Sequence, residues 1–196
     1  MDDGLIKNII ETIETHEKMV AELQESGIET LIAAAKTIIR SLRSNGRIYL
    51  CGNGGSAADA QHIAGELVGR FRCERKALPA VALTTDTSVI TSISNDDCFE
   101  HTFVRQVEAL VAKGDILWAI STSGTSANVV AAAELAKEKG ASVLAFTGKR
   151  NCRLEQVADI CFCADDKSTA RSQEIHQLAY HMICDLVEQS FADSES

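Results

Sequence analysis

Apolar residues recur every three or four positions along the first forty residues of the chain. One set runs from Leu5 to Leu23 and a second from Ile28 to Leu42, and each predicts an amphipathic helix with one apolar stripe. The short link Glu25-Ser26-Gly27 between them predicts a tight turn. We therefore expect residues 1–44 to form a helical hairpin in front of the remaining chain.

From residue 47 onward, short apolar segments alternate with stretches of helical periodicity. The predicted strands are 47–51, 80–84, 116–121, 142–146 and 160–162. The helical patterns cover 56–68, a stretch from 88, and then 99–111, 126–139 and 169–191. Strands separated by such helices run parallel, because each crossover returns the chain to the same end of the sheet. The pattern predicts one α/β domain over residues 1–196, a three-layer αβα sandwich with a five-stranded parallel sheet.

The composition of the 196 residues is that of an ordinary globular protein, with 45% hydrophobic and 24% charged residues. The net charge of −9 argues against binding to nucleic acid or to anionic membranes. The longest apolar stretches, such as 129–133, are too short to span a bilayer. The acidic start MDDGLIKNII is unlike a secretory signal, and the seven cysteines are odd in number and lack a C-x-x-C pair. We expect reduced, mostly buried thiols in a cytoplasmic protein without membrane or nucleic-acid partners.

Glycines cluster in the segment Cys51–Ser56, here called loop 1, which joins the first predicted strand to a helix. Glycines allow backbone N–H groups to approach an anion, and the following helix offers its positive end. The segment differs from the dinucleotide pattern G-x-G-x-x-G, because Ala57 takes the third glycine position and no Walker lysine follows. A phosphate site is therefore favoured over a nucleotide site, which remains an alternative.

Hydroxyl side chains are concentrated in the segment Ser121–Ser126, here called loop 2, which also lies between a strand and a helix. Five of its six residues carry a hydroxyl group, which suits a phosphate monoester. Helix capping by Thr125 or Ser126 is the alternative, but it accounts for only one or two of the five. Neither loop contains a lysine or arginine, so helix dipoles and hydrogen bonds would hold the anion.

Two predicted helices carry lines of potential metal ligands. His62 and Glu66 stand four residues apart and share a helix face, whereas Gln173, Gln177 and His181 repeat every four residues near the end of the chain. If the two lines face each other, they form a divalent metal site of nitrogen and oxygen ligands, for which zinc is the first candidate. A surface contact between neighbouring side chains is the alternative. A further histidine at position 176 falls off this line, and we interpret it as structural.

Five segments together resemble one known family, the sugar isomerase (SIS) domain family. They are CGNGGS at 51–56, AQHIAGELVGRF at 60–71, SND at 94–96, STSGTSANV at 121–129 and RSQEIHQLAYH at 171–181. The match extends over essentially the whole chain and is strongest to members that act on seven-carbon sugar phosphates. It implies a flavodoxin-like SIS fold and the conversion of sedoheptulose 7-phosphate to D-glycero-D-manno-heptose 7-phosphate, an early step towards the heptose of bacterial lipopolysaccharide.

The resemblance also implies roles for individual residues. Glu66 would be the catalytic base and His181 the acid, and one zinc ion per subunit would be held by His62, Glu66, Gln173 and His181. The substrate would contact Asn53, Gly54, Gly55, Ser56, Asn95, Asp96, Ser121, Thr122, Ser123, Ser126 and Gln173. Members of the family form homotetramers with active sites between subunits, which would give residues 1–44 a role in oligomerisation.

A non-catalytic function is the principal alternative. Some SIS proteins of similar size bind the bacterial replication initiator and lack the catalytic glutamate and histidine. This chain keeps both, as Glu66 and His181, and it also keeps Gly55, where that relative departs from GNGGS. The residues therefore favour an enzyme over such an adaptor protein.

Overall fold

Five short segments form one parallel sheet in the computed structural model, which describes residues 2–192. The strands are β1 (Ile48–Gly52), β2 (Ala80–Ala82), β3 (Ile116–Ser121), β4 (Ser142–Thr147) and β5 (Ile160–Cys163). Their order in the sheet is β2-β1-β3-β4-β5. All residues of β1 and β3 are buried, as expected for strands covered on both faces. The predicted five-stranded parallel sheet is confirmed.

Helices cover both faces of the sheet. They are α1 (Asp2–Glu22), α2 (Ile28–Arg43), α3 (Gly55–Val68), α4 (Thr87–Asp96), α5 (His101–Leu110), α6 (Ala127–Glu138), α7 (Arg153–Val157) and α8 (Thr169–Ala192). Alternate strand residues enter two separate cores: Leu50 and Trp118 pack with α2, α3 and α8, whereas Cys51 and Ala119 pack with α5, α6 and α7. This arrangement confirms the predicted three-layer sandwich. The helix α7 was not predicted, because five residues are too few to show a helical period.

The predicted N-terminal hairpin is wrong. A π-helical segment, Leu23–Gly27, joins α1 to α2, and Gly27 keeps helical dihedral angles of φ −90° and ψ −25° instead of forming a turn. The glycine serves packing, because a Cβ atom at Gly27 would lie 3.3 Å from both the Leu23 side chain and the Phe162 ring. The two apolar stripes therefore belong to one continuous helical stretch.

Most of the apolar stripe of α1 is exposed. Its large aliphatic side chains are between 48% and 62% exposed, namely Leu5, Ile6, Ile9, Ile10 and Ile13. Towards the end of α1, Met19 is buried in the core. The amphipathic pattern thus predicted the helix correctly, but most of its stripe does not pack on this chain's own domain. Within residues 2–192, no helix combines the length and the apolar character that crossing a bilayer requires.

All seven cysteines are free thiols, but the prediction that most of them are buried is wrong. Cys51, Cys152 and Cys184 are buried, whereas the other four are partly or fully exposed. Two of these four lie on β5, which is an edge strand of the sheet and is covered less completely than β1 and β3.

Candidate active site

Loop 1 and loop 2 meet at the carboxyl ends of adjacent strands. They follow β1 and β3, and the helices that begin there, α3 and α6, pack on opposite faces of the sheet. This is the topological switch point, where open parallel sheets bind their ligands. The amide groups of Asn53 in loop 1 and Asn128 in the first turn of α6, directly after loop 2, exchange two hydrogen bonds of 2.9 Å, one in each direction. The crevice between the loops is therefore fixed on both sides.

Three of the five hydroxyl groups of loop 2 lie close to one another. Ser121 Oγ lies 3.0 Å from Ser126 Oγ and 3.3 Å from Ser123 Oγ, and Ser123 Oγ accepts the Thr125 N–H at 3.2 Å. Ser126 precedes α6 at the N-cap position, yet its side chain makes no capping hydrogen bond. Capping therefore does not account for the Ser126 hydroxyl. The hydroxyls, with the first turn of α6 behind them, suit the oxygens of a phosphate group.

Loop 1 depends on two glycines in different ways. Gly54 has φ +55°, a left-handed conformation that favours glycine. Gly55 lies under the Gln173 side chain, so a Cβ atom there would come within 2.5–2.8 Å of the amide group. The side chain of Gln173 therefore reaches loop 1 from the first turns of α8, and its contact with a substrate stays a prediction.

Two imidazoles and a carboxylate converge where α3 packs against α8. His62 Nε2 lies 3.0 Å from Glu66 Oε1 and 3.0 Å from His181 Nε2. The side chains of His62 and Glu66 are 42% and 21% exposed, so the group is open to solvent on one side. The helix periodicity placed His62 and Glu66 on one face, and the packing of α8 brings His181 to them across more than a hundred residues of sequence.

Aromatic rings enclose the His181 imidazole. The Phe71 ring stacks on it with a centroid separation of 5.5 Å and an interplanar angle of 17°, and the Tyr180 ring lies edge-on at 4.8 Å. Burial, followed by the neighbouring His62, lowers the pKa of His181, whereas Glu66 opposes this shift. The imidazole is therefore held towards its neutral form, which is able to donate an N–H hydrogen bond or to bind a metal.

A half-buried carboxyl group lies one turn before His62 on α3. Asp59 Oδ1 accepts a hydrogen bond of 3.4 Å from the Tyr180 hydroxyl, and Asp59 Oδ2 is buried without a hydrogen-bond partner. Burial raises the pKa of Asp59, and the Tyr180 hydrogen bond and the charge of His62 offset this only in part. Burial likewise raises the pKa of Tyr180, assisted by Asp59.

The donor atoms of His62, Glu66 and His181 fit a metal ion. All three lie within 4.8 Å of one another, and His62 Nε2 lies 3.0 Å from each of the other two, close to the separation of about 3.3 Å between tetrahedral ligands with bonds of about 2 Å. Two imidazole nitrogens and one carboxylate oxygen match the preference of zinc. The fourth predicted ligand, Gln173, has its amide group beside Gly55, and its part in a metal site stays a prediction.

The remaining predicted site residues lie in different places. Ser56 is buried in the first turn of α3. Asn95 and Asp96 are exposed at the end of α4, where Asn95 Nδ2 donates to Asp96 Oδ1 at 2.9 Å. Their contact with a substrate stays a prediction.

Sequence reasoning missed several residues around the site. Asn128, Asp59 and Phe71 all contact or adjoin the predicted groups. The signal for Asn128 was present, since a polar side chain occurs there in an otherwise apolar helical run, directly after loop 2. Nothing in the spacing of Phe71 indicated that its ring would cover His181.

The parallel sheet, the paired loops and the exposed histidine–glutamate group define an α/β protein whose switch-point crevice suits a phosphorylated ligand. The model of the SIS domain family matches residues 12–148, and this chain belongs to that family. It is 45% identical over 188 residues to a phosphoheptose isomerase from Roseiflexus sp. (strain RS-1), covering 96% of this chain and 95% of the relative.

Solved structures of similar proteins agree with this assignment. The phosphoheptose isomerase from Neisseria gonorrhoeae superposes with a TM-score of 0.88 at 39% identity, covering 94% of this chain and 99% of that chain. The one from Francisella tularensis superposes with a TM-score of 0.90 at 34% identity, covering 94% and 98%. Both similarities extend over nearly the whole described fold.

Proposed function

We propose that this chain interconverts sedoheptulose 7-phosphate and D-glycero-D-manno-heptose 7-phosphate, with Glu66 and His181 as its catalytic residues. The chain is an aldose–ketose isomerase of the heptose pathway, as its near full-length similarity to phosphoheptose isomerases indicates. The observation that carries the residue assignment is the convergence of Glu66 and His181, through His62, at contact distances of 3.0 Å.

The reaction moves a proton between C1 and C2 of the sugar through an enediol. It needs a base close to both carbons and a second group that handles the oxygens. Glu66 is the base in our proposal: its carboxylate takes the proton from one carbon and returns it to the other. His181 donates a proton to one of the C1 and C2 oxygens and takes a proton from the other. Its neutral imidazole would fulfil this role by donating its N–H and then recovering the proton.

Loop 1 and loop 2 bind the phosphate end of the substrate in this proposal. Gln173 touches loop 1 and lies on α8, the helix that also carries His181. With the phosphate at the loops, the carbonyl end of the sugar would lie towards Glu66 and His181.

Zinc is the metal that this site would hold. His62, Glu66 and His181 would bind it, with Gln173 as the predicted fourth ligand, one ion per subunit. When bound, zinc polarises the carbonyl and stabilises negative charge on the enediolate oxygens. A carboxylate bound tightly to zinc is a weaker base, so Glu66 would have to bind it loosely to carry the proton.

A homotetramer is our proposal for the assembled protein, with the exposed stripe of α1 as the buried contact. Five adjacent large aliphatic side chains are more exposed than a single soluble chain ordinarily leaves them. An identical stripe on a second copy is a matching partner in a symmetric interface. The free cysteines and the sugar phosphate substrate are consistent with a cytoplasmic location.

The test is turnover of sedoheptulose 7-phosphate by purified Glu66→Gln. The amide has nearly the same shape as the carboxylate but is not basic, so we expect the rate to fall by about 10²–10⁴-fold. Binding of the sugar phosphate, measured by calorimetry, should remain. Glu138→Gln, on an exposed position of α6, is the control. A Glu66→Gln protein with an undiminished rate excludes Glu66 as the base.

The adaptor alternative is tested in the same preparation. Wild-type protein that turns over no substrate after chelation and reloading with zinc or another divalent ion, and that co-purifies with the replication initiator, would favour it over the enzyme. An isomerase has no need of that partner.

A further inference from the structure

Glu188 lies buried where the segment that follows α3, residues 69–76, folds across α8. Its side chain is 1% exposed. The carboxylate accepts the backbone N–H groups of Phe71 at 2.8 Å, Arg72 at 2.5 Å and Cys73 at 2.9 Å. Three consecutive N–H donors on one carboxylate fix the path of this segment. We call these contacts, together with Arg75, the Glu188 anchor.

Arg75 links the anchor to the helix that carries Glu66. Its side chain is also 1% exposed, and Arg75 Nε lies 3.3 Å from Glu188 Oε1. Arg75 Nη2 donates to the carbonyl oxygen of Glu66 at 2.7 Å, and Nη1 donates to that of Gly69 at 3.0 Å. A guanidinium that satisfies the free carbonyls at the end of α3 fixes the last turn of that helix.

The Glu188 carboxylate of the anchor keeps its negative charge despite its burial. Burial alone would raise the pKa of Glu188, but the three backbone hydrogen bonds and the charge of Arg75 outweigh it and lower that pKa. A carboxylate that is fully paired in this way holds its partners more tightly than a neutral amide would.

The same segment covers His181. Phe71, which donates the first of the three N–H groups, stacks its ring on the His181 imidazole. On α8, Glu188 follows His181 by seven residues, or about 10 Å along the helix. The anchor is thus connected to both catalytic groups, to Glu66 through Arg75 and to His181 through Phe71.

We propose that Glu188 and Arg75 are positioning residues of the active site, which hold Glu66 and His181 in register without touching the substrate. The inference rests on the isomerase function proposed above. Small displacements of catalytic groups lower turnover by up to about 10²-fold, so loss of the anchor should act mainly on kcat.

The test compares Glu188→Gln with Glu138→Gln, the control at an exposed position of α6. We expect folded Glu188→Gln to lose about 10²-fold in kcat with KM within about threefold of wild type. Its zinc affinity should fall by about 10–100-fold. Trypsin should cleave after Arg70 and Arg72 faster than in wild type, because the segment is released. Glu138→Gln should behave as wild type in all three measurements.

Two further variants keep the test decisive if Glu188→Gln does not fold. Phe71→Leu removes the stacked ring and leaves the buried pair intact, and Arg75→Lys keeps the charge but loses the fork that bridges the carbonyls. A folded Glu188→Gln or Arg75→Lys variant that keeps kcat within twofold, or that loses kcat with unchanged zinc affinity and unchanged cleavage, overturns the proposal. Phe71→Leu should lose kcat with unchanged cleavage, because the buried pair still holds the segment. Wild-type protein without turnover would contradict the isomerase function, and zinc affinity and cleavage would still decide whether the anchor holds the site.

Discussion

Asn53 and Asn128 exchange two amide hydrogen bonds of 2.9 Å across the carboxyl ends of β1 and β3. Each side chain offers one donor and one acceptor to the other, so neither amide is left unsatisfied within the pair. Asn128 is buried in the first turn of α6, and Asn53 is half-buried in loop 1. The pair therefore couples the two loops that we assign to the phosphate.

Removal of this pair should weaken substrate binding more than turnover. Asn128→Ala leaves the Asn53 amide without its partner, so we expect a loss of about 1–3 kcal/mol in the free energy of unfolding and a raised KM. Urea unfolding and steady-state kinetics check both effects. A double-mutant cycle with Asn53→Ala should show strong coupling, whereas the exposed control Asn8→Ala should be additive with either variant. Additive effects at positions 53 and 128 would contradict the coupling.

Gly55→Ala should impair the site through Gln173. The new Cβ atom would come within 2.5–2.8 Å of the Gln173 amide group, which has to move away from loop 1. We expect weaker sugar phosphate binding and turnover lowered by about tenfold or more. Gly65→Ala is the matched control on the same helix, because a Cβ atom there meets nothing within 4 Å. It should leave activity unchanged and stabilise the protein by about 0.5–1 kcal/mol. Equal activity of the two variants would contradict the predicted close contact.

The buried His176 should make the protein less stable in mild acid. Its Nε2 lies 2.9 Å from the Thr147 carbonyl oxygen, and burial lowers its pKa from 6.5 to about 4, opposed in part by that hydrogen bond. The unfolded chain therefore binds this proton more readily than the folded chain. The stability that the neutral imidazole provides is complete above about pH 6.5 and declines as the pH falls towards 4, by up to about 3 kcal/mol.

Urea unfolding at pH 7 and pH 5 checks this. His176→Gln keeps a donor for the Thr147 carbonyl but does not titrate, so its free energy of unfolding should change less between the two pH values than that of wild type. An identical pH dependence in wild type and His176→Gln would exclude the buried imidazole as the cause.

A charge within the α1 stripe should dissociate the assembly. Ile9 and Ile13 are 62% and 52% exposed in the described chain, and an aspartate at either position would be buried without a partner in a tetramer. Analytical ultracentrifugation should show a smaller species for Ile9→Asp and Ile13→Asp. Asn8→Asp, which lies on the other side of the helix, should keep the wild-type mass. A monomeric wild-type protein would contradict the proposed tetramer.

The sequence was most informative for elements that a single local repeat of apolar residues predicts. The strands and most helices lie within a few residues of their predicted positions, because the apolar runs of β1 and β3 and the 3.6-residue repeats of α3 and α8 are local signals. The pairing of His62 with Glu66 follows from the same repeat. The hairpin prediction was wrong because a glycine between two helical patterns usually indicates a turn. In the structure, Gly27 lies within the helical stretch, where a Cβ atom would meet the Phe162 ring of β5.

Other features depend on long-range packing that a single sequence does not display. Glu188 looks like an ordinary polar residue on an amphipathic helix, and its burial arises only because residues 71–73 fold over it. The contact between Asn53 and Asn128 likewise joins positions 75 residues apart. Such contacts are evident only once the packing of the sheet and its helices is known.

The π-helical turn at Leu23–Gly27 also sets the direction in which the side chains of α1 point. A π turn accommodates one residue more than an α turn, and each residue of an α-helix advances the side chain by about 100° around the axis. The extra residue therefore offsets the stripe of α1 around the helix axis relative to that of α2. Deleting one residue from this segment would rotate the five aliphatic side chains by about 100° relative to α2, so the length of this segment sets the direction of the proposed contact surface.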